Sequence, residues 1–481
     1  MEARARGRVQ AFLGPAWNVT AGCTMGLLTA AEAGPARAAA PVLRGKVPVL
    51  GVLPALARDP LAVFERARPL GDVVRLAVPG RPVFVLADPA HIRRVLQENH
   101  ANYRRTPFHD QLKSVLGEGL LTSEDKLWHR QRRLLQPAFR AERIRRFVGA
   151  MAAAAAELAD RWDAAGPGRV LDVSREMSGL ALDVVVRCMF GGERRGGDAA
   201  ISAAVHEAQD WIAGRFWSLA PGWTERLPTP ANRRFRRALA TLDAALMGIV
   251  GKRLAAGEAG HDLLGMLLAA QGEGAGPDAR QVRDEAMTML MAGHETSAAT
   301  LTWTWHLLAR HPAVADAVRD EAVRVFGDAR PDMEGLGRLD LTRAVIEEAM
   351  RLYPPAAWFG RLAAGPDRIA GYPIPAGAIT VLSPWLVQRD PRLWPDPDRF
   401  DPARFAPGTR VAPYAYFPFG GGPRTCIGNH FAMTEMLVAM AVLAPRFRLR
   451  HAGDGSVRPE LLVTLRPAGG LPMRAEPRTD A

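Results

Sequence analysis

The sequence predicts a mainly α protein with small β-sheets, an α+β class, and three observations carry that expectation. A proline-free helical pattern begins near Asp278 and ends at the stop His311-Pro312. That is about 32 residues, or about 48 Å at 1.5 Å per residue, enough to cross a whole domain. Helical spacing also dominates from His91 to Leu308, with Ala-rich runs such as Met151 to Trp162, whereas strand signals are short and lie towards the two ends. With 481 residues, 48% hydrophobic and 23% charged, the chain can bury a large core, which excludes a disordered, collagen-like or polytopic membrane protein.

Taken in order, residues 1–44 are expected to be a flexible N-terminal extension and 45–481 a single domain. Val9 to Ala31 is uncharged and follows Arg4, Arg6 and Arg8, an order that invites a signal or anchor reading. It makes a poor anchor: Gln10, Pro15, Asn18, three threonines and Gly14, Gly22 and Gly26 interrupt the apolar stretch a bilayer span requires. A floppy extension, or a start at Met25, fits better. Pro35 to Pro54 reads as an extended lead-in, and Gly71 to Pro89 as a hairpin, two β-branched runs around Pro79-Gly80. Gly166-Pro167-Gly168, Pro228-Thr229-Pro230 and Gly272 to Pro277 break the helical middle. After Tyr353 come Pro-rich coil and short strands, including Gly371 to Gly377, a meander from Arg389 to Phe405, and a last helix from Gly428 to Leu443.

The formal charge of +12 comes mostly from arginines spread along the chain, so compositional bias explains it better than a nucleic-acid site. Three cysteines, Cys23, Cys188 and Cys426, cannot build a disulfide framework, which points to a reducing, cytoplasmic setting. Cys23 and Cys188 read as inert thiols. Cys426 does not: it sits in Phe419-Gly420-Gly421-Gly422-Pro423-Arg424-Thr425-Cys426-Ile427-Gly428, directly before a helical pattern. There the helix N-terminus favours an anion, so the thiolate, the metal-ligating form, is expected. Three glycines would let the loop lie flat against a planar ligand, with Arg424 beside the sulfur or an acidic ligand group.

This decapeptide resembles the haem-binding signature of the cytochrome P-450 superfamily, F-x-x-G-x-R-x-C-x-G, at every fixed position. Further stretches agree in order. Trp128-His-Arg-Gln-Arg132 is similar to the W-x-x-x-R of a helix that meets the haem propionates, and Ala292-Gly293-His294-Glu295-Thr296-Ser297 resembles the oxygen-activation motif. Glu348-Ala-Met-Arg351 looks like E-x-x-R, with Arg404 where the meander supplies a third partner. The resemblance spans about residues 45 to 475. It implies a single cytochrome P-450 fold with haem b between the long central helix and the cysteine loop, its iron bound axially by Cys426. Phe419, Gly420, Gly428, Arg424, Trp128, Arg132 and Arg361 would hold the haem. Glu348, Arg351 and Arg404 would form a structural brace behind the loop.

In the long helix, Gly293 and a Thr296 hydroxyl turned onto a carbonyl of the preceding turn should loosen the backbone ladder and widen the helix locally. Thr296 would then steady the iron-bound oxygen and Glu295 would relay protons to it. Leu290, Met291, Ala292, Ala356, Ala357, Trp358 and Val463, with the Thr106 to Leu121 loop and the Trp211 to Trp217 region, would line an apolar pocket for a fatty acid, terpenoid or similar lipid-like substrate. No G-x-G-x-x-G or cluster-type cysteine spacing is present, so electrons should come from a separate reductase system. Arg130, Arg132, Arg133, Arg140, Arg143, Arg145 and Arg146 would steer an acidic ferredoxin or flavodoxin. The expected enzyme is a monomeric haem-thiolate monooxygenase without membrane association or nucleic-acid partner. A peroxide-driven peroxygenase or isomerase on the same fold, or a non-catalytic haem or nucleic-acid-binding protein, are the alternatives.

Overall fold

The structure, a computed structural model, describes residues 39–191, 199–216, 222–256, 262–271 and 278–478. The N-terminal arm with Cys23 and Met25, the Gly272 to Pro277 break and Trp217 lie outside the described residues.

The helices are α1 (Leu53–Arg58), α2 (Pro60–Ala67), α3 (Pro89–Arg93), α4 (Phe108–Leu116), α5 (Asp125–Leu135), α6 (Ala141–Ala165), α7 (Val173–Phe190), α8 (Ala199–Phe216), α9 (Pro230–Ala256) and α10 (Leu263–Gln271). They continue with α11 (Ala279–Arg310), α12 (Pro312–Phe326), α13 (Met333–Leu336), α14 (Asp340–Leu352), α15 (Pro384–Val387) and α16 (Asn429–Arg446). The long expected helix is α11. The Asp278 carboxylate caps it by accepting the Gln281 N–H at 2.7 Å, and its last residue is Arg310, two positions before Pro312. Proline cannot donate to a preceding turn, so the chain restarts as α12.

The expected hairpin pairs β2 (Val73–Leu76) with β3 (Val83–Leu86) in antiparallel register, Val73 opposite Leu86. The sheet then recruits strands distant in sequence. β1 (Val42–Leu43) lies beside β2, β9 (Ile379–Leu382) runs parallel to β3, and β6 (Phe359–Ala363) and β4 (Tyr103–Arg104) follow outward. A strand that the sequence reading did not anticipate, β5 (Val170–Asp172), joins β13 (Pro472–Pro477) and β10 (Phe447–His451). Two hairpins, β7 (Asp367–Ile369) with β8 (Tyr372–Ile374) and β11 (Pro459–Leu461) with β12 (Leu465–Pro467), complete the set.

One hydrophobic cluster fills the helical layer around α6, α7, α11, α14 and α16; two smaller ones cover the faces of the six-stranded sheet. Burial of α11 is nearly continuous from Thr300 to Leu308, as befits a helix surrounded by others. Among the described residues no helix is long and apolar enough to cross a membrane.

Candidate functional site

The cysteine loop leaves the sheet side at Phe417 and enters α16 at Asn429. Gly420 adopts φ +72° with open space where a Cβ would stand. The other two glycines answer to the protein: a Cβ on Gly421 would strike the Tyr414 ring at 2.4 Å, and one on Gly422 the Leu96 carbonyl oxygen at 1.8 Å. So one glycine, and not three, faces the opening. The Cys426 N–H donates to the Phe419 carbonyl at 2.9 Å, closing the turn, and Arg132 Nη1 donates to the Thr425 carbonyl at 2.8 Å. Gly428 precedes α16 without a left-handed twist, φ −92°.

The Cys426 side chain is exposed although it lies deep in the chain, where burial pushes its thiol up; the Gly428 N–H and the Arg132 cation oppose that push without overcoming it. The surface and the desolvation agree if the sulfur borders an interior opening. Burial thus works against the thiolate that the sequence leads one to expect, and a bound metal cation would favour it. Among the described residues no three His, Cys, Asp or Glu side chains gather at one point.

The brace behind the loop is closed. Arg351 and Glu348, both fully buried, meet at 2.6 Å and 2.8 Å. Arg351 also donates to the carbonyls of Gln388 at 2.8 Å and Pro397 at 2.7 Å, and Glu348 accepts the Asp401 N–H at 2.9 Å. Arg404 approaches Glu348 at 3.5 Å, a looser third partner, and spends its Nη2 on the Pro395 carbonyl at 2.6 Å. Gln388, which the sequence reading missed, carries the brace to the loop: its amide donates to the Met350 carbonyl at 3.0 Å and accepts the Phe417 N–H at 3.0 Å.

On the other side a set of cations stands with little compensation. Arg361, 9% exposed, donates to its neighbour's carbonyl, Gly360, at 2.9 Å, and burial, then Arg424, pushes its pKa down to about 10. Arg424 lies 4.3 Å over the Trp128 ring and pairs with Glu124 at 3.2 Å. Sequence reasoning missed one member, Arg105, and the imidazole of His109 beside it. Burial, joined by repulsion from Arg424 and Arg361, holds Arg105 well below the usual guanidinium range, and its Nε has no hydrogen-bond partner. Burial and the Arg105 charge hold His109 well below the usual imidazole range. The Arg104-Arg105 pair beside β4 was the only local signal. Buried cations short of counter-charge form a receptor for carboxylates.

Along α11, Ala292 is exposed and Thr296 half-buried in the middle of an otherwise covered helix, so this face borders an opening. Thr296 Oγ1 donates to the Ala292 carbonyl at 2.8 Å. The expected widening is absent: Thr300, Thr302 and Thr304 bond back in the same way, and α11 stays α-helical throughout. Gly293 has a packing reason instead, since its Cβ would come within 3.1 Å of Val185 on α7. The next residue, Ser297, donates to Glu435 of α16 at 2.7 Å, and burial pushes that carboxyl up to about 8. Glu295 turns to α8, accepting from Gln209 at 2.8 Å; burial raises its pKa, with Thr464 and Arg466 opposing and Asp210 adding.

Of the expected pocket residues, Ala292 is exposed and Met291, Ala356, Trp358 and Val463 are half-buried. Trp358 meets Phe64 and Phe108 at 6.0 Å and 6.1 Å between ring centroids. Leu290 and Ala357 are corrections: at 3% and 1% exposure they pack into the helical core and the sheet face. Trp211 is stacked on Phe235 at 3.8 Å and is likewise core. A surface cleft of about 680 Å³ lies between α1–α2, α8 and the β11–β12 hairpin.

A family model described as Cytochrome P450 matches residues 41–471. The chain is 36% identical to cyclooctatin synthase of Streptomyces melanosporofaciens, over 91% of this chain and 95% of that one. It is also 36% identical to cyclooctat-9-en-7-ol 5-monooxygenase of the same organism, over 92% and 98%. Among solved structures it is similar to the cytochrome P450DA heme domain, with a TM-score of 0.83, 28% identity, and coverage of 92% and 98%.

Proposed function

The chain belongs to the cytochrome P450 family, and on that premise we propose that it oxidises a terpenoid or similar lipid-like substrate with electrons from a separate acidic ferredoxin or flavodoxin and its NAD(P)H-linked reductase. As a P450 it is an oxidoreductase of the monooxygenase class, and its cofactor is haem with iron bound by a cysteine thiolate. Bound haem supplies the reductive activation of dioxygen.

The residues present fit that group. Cys426, a thiol at the border of an opening with Gly420 turned to leave space, would bind the iron. Arg105, Arg361 and Arg424, with Trp128 beside them, would receive the two propionates, whose negative charge would relieve their mutual repulsion. Arg132 holds the loop through Thr425, and Glu348, Arg351 and Arg404 hold it from behind through Gln388. On α11, Thr296, already donating to the Ala292 carbonyl, keeps its oxygen as an acceptor beside the opening. Glu295, biased to its neutral form by burial, can give a proton and recover it. Met291, Ala292, Ala356, Trp358 and Val463 present apolar surface that excludes water and suits a hydrocarbon ring system; the related protein named for cyclooctat-9-en-7-ol supports that class. Arg130, Arg133, Arg140, Arg145 and Arg146 are exposed on the α5–α6 side, where they can steer an acidic partner.

The single observation that carries this reading is the exposed thiol in a glycine-turned loop, set with a group of buried, undercompensated arginines. The test is the reduced, carbon monoxide-bound absorption spectrum of wild type and Cys426→Ala. A strongly red-shifted Soret band in wild type alone is expected; the same band in both would remove Cys426 from the iron. In Thr296→Ala, NADPH use should continue while product gives way to peroxide. Unchanged coupling there would favour a peroxide-driven reaction or isomerisation.

A further inference from the structure

Two elements, α8 and the β11–β12 hairpin, converge on the Glu295 carboxyl. From α8, Gln209, 4% exposed, donates Nε2–H to Glu295 Oε2 at 2.8 Å. From the turn into β12, Thr464, 5% exposed, presents its hydroxyl towards the same carboxyl without closing a bond of standard geometry. Asp210, next to Gln209, pairs with Arg466 of β12 at 3.2 Å, and these are the charged groups that face Glu295 from outside its own helix. Both belong to the wall of the 680 Å³ cleft, along with Arg58, Gly214 and Leu461.

We propose that Gln209 is a positioning residue that aims the Glu295 carboxyl, and that the cleft between α8 and the β11–β12 hairpin, lined by the Asp210–Arg466 pair, is where Glu295 exchanges protons with solvent. The inference rests on the reading of Glu295 as a proton carrier given above.

The chemistry of the donor explains the choice of residue. A carboxyl held by one N–H on Oε2 carries its proton on Oε1 when neutral, so the amide makes the two oxygens inequivalent. An arginine or lysine at position 209 would instead favour the ionised form, and a carboxylate so locked gives up no proton. A neutral amide fixes direction while leaving both protonation states within reach, which a relay needs. The placement also links the relay to α8: if that helix moves from β12, Gln209 and the Asp210–Arg466 pair are withdrawn together.

Infrared difference spectra of the holoenzyme against Glu295→Gln isolate the Glu295 carboxyl band and its titration. Gln209→Met, of similar size but without a donor, should raise the titration midpoint by about one pH unit, because the ionised form loses a hydrogen bond. With a surrogate ferredoxin and reductase it should also increase both peroxide release and the solvent isotope effect. Gln209→Arg should lower the midpoint. Arg466→Ala should speed exchange of the carboxyl proton in deuterated buffer several-fold. An unmoved band in both Gln209 variants would overturn the positioning role, and unchanged exchange in Arg466→Ala would overturn the inlet. If Glu295→Gln itself leaves coupling and isotope effect at wild-type values, the proton-carrier reading fails, and this inference with it.

Discussion

Two groups of arginine are buried in this protein under opposite terms. Arg351 is fully enclosed and meets a carboxylate and two main-chain carbonyls at 2.6–2.8 Å. Arg361 is nearly as enclosed, yet its bond goes to the adjacent residue's carbonyl and its nearest charged company includes another cation, Arg424. The first arrangement is complete within the chain and serves structure. The second is short of negative charge, a state that burial penalises and that a ligand carrying the missing charge would relieve. Buried arginine alone says little; the bookkeeping of its partners separates a brace from a binding site.

The comparison is most severely tested at the brace. Glu348→Ala strands Arg351 and should cost about 3–5 kcal/mol in denaturant unfolding, with poor haem retention. Replacing both partners by Leu and Met should recover much of that loss, since neither charge is then left alone. Arg361→Met should behave differently: apoprotein stability stays level or rises, while haem transfer to an acceptor such as apomyoglobin quickens about 10- to 100-fold, as expected for one charge-assisted hydrogen bond of about 1.5–3 kcal/mol. An apoprotein as weakened as Glu348→Ala would break the distinction.

His109 offers a smaller, pH-dependent test. Its folded pKa is depressed, so the unfolded chain takes up the proton first, and apoprotein stability should fall as pH drops below about 6.5, the ordinary imidazole value. Haem propionates would offset the Arg105 field and raise the His109 pKa, which imidazole proton resonances report, and the acid limb should shrink in the holoprotein. The smallest effects belong to a third group, the exposed arginines. Arg133→Gln or Arg145→Gln should change stability by less than about 0.5 kcal/mol. Each should slow reduction by an acidic partner at low salt, with the difference fading as ionic strength rises.

Much of the brace was readable because Glu348 and Arg351 are three apart on one helix face within an apolar run. The cation group was only half readable. Arg361 and Arg424 came through family resemblance, but Arg105 and His109 sit in an ordinary polar stretch, and nothing local shows that β4 and α4 bring them towards strand β6. Gln388 and Gln209 were invisible for a similar reason: an amide has no periodicity or spacing signature, and its importance lies in which carbonyl, N–H or carboxyl it meets.

Local chemistry by itself determined the long helix, the hairpin and the cysteine loop, since caps, proline stops, alternation and the Gly-rich run before Cys426 act over a few residues. Only the tertiary structure decided that Gly421 and Gly422 serve Tyr414 and Leu96, that Gly293 makes room for Val185, and that Leu290 and Ala357 turn into the core. It alone decided how far burial presses on the Cys426 thiol and which partners Glu295 meets, because desolvation and side-chain contact depend on elements that meet across long stretches of sequence.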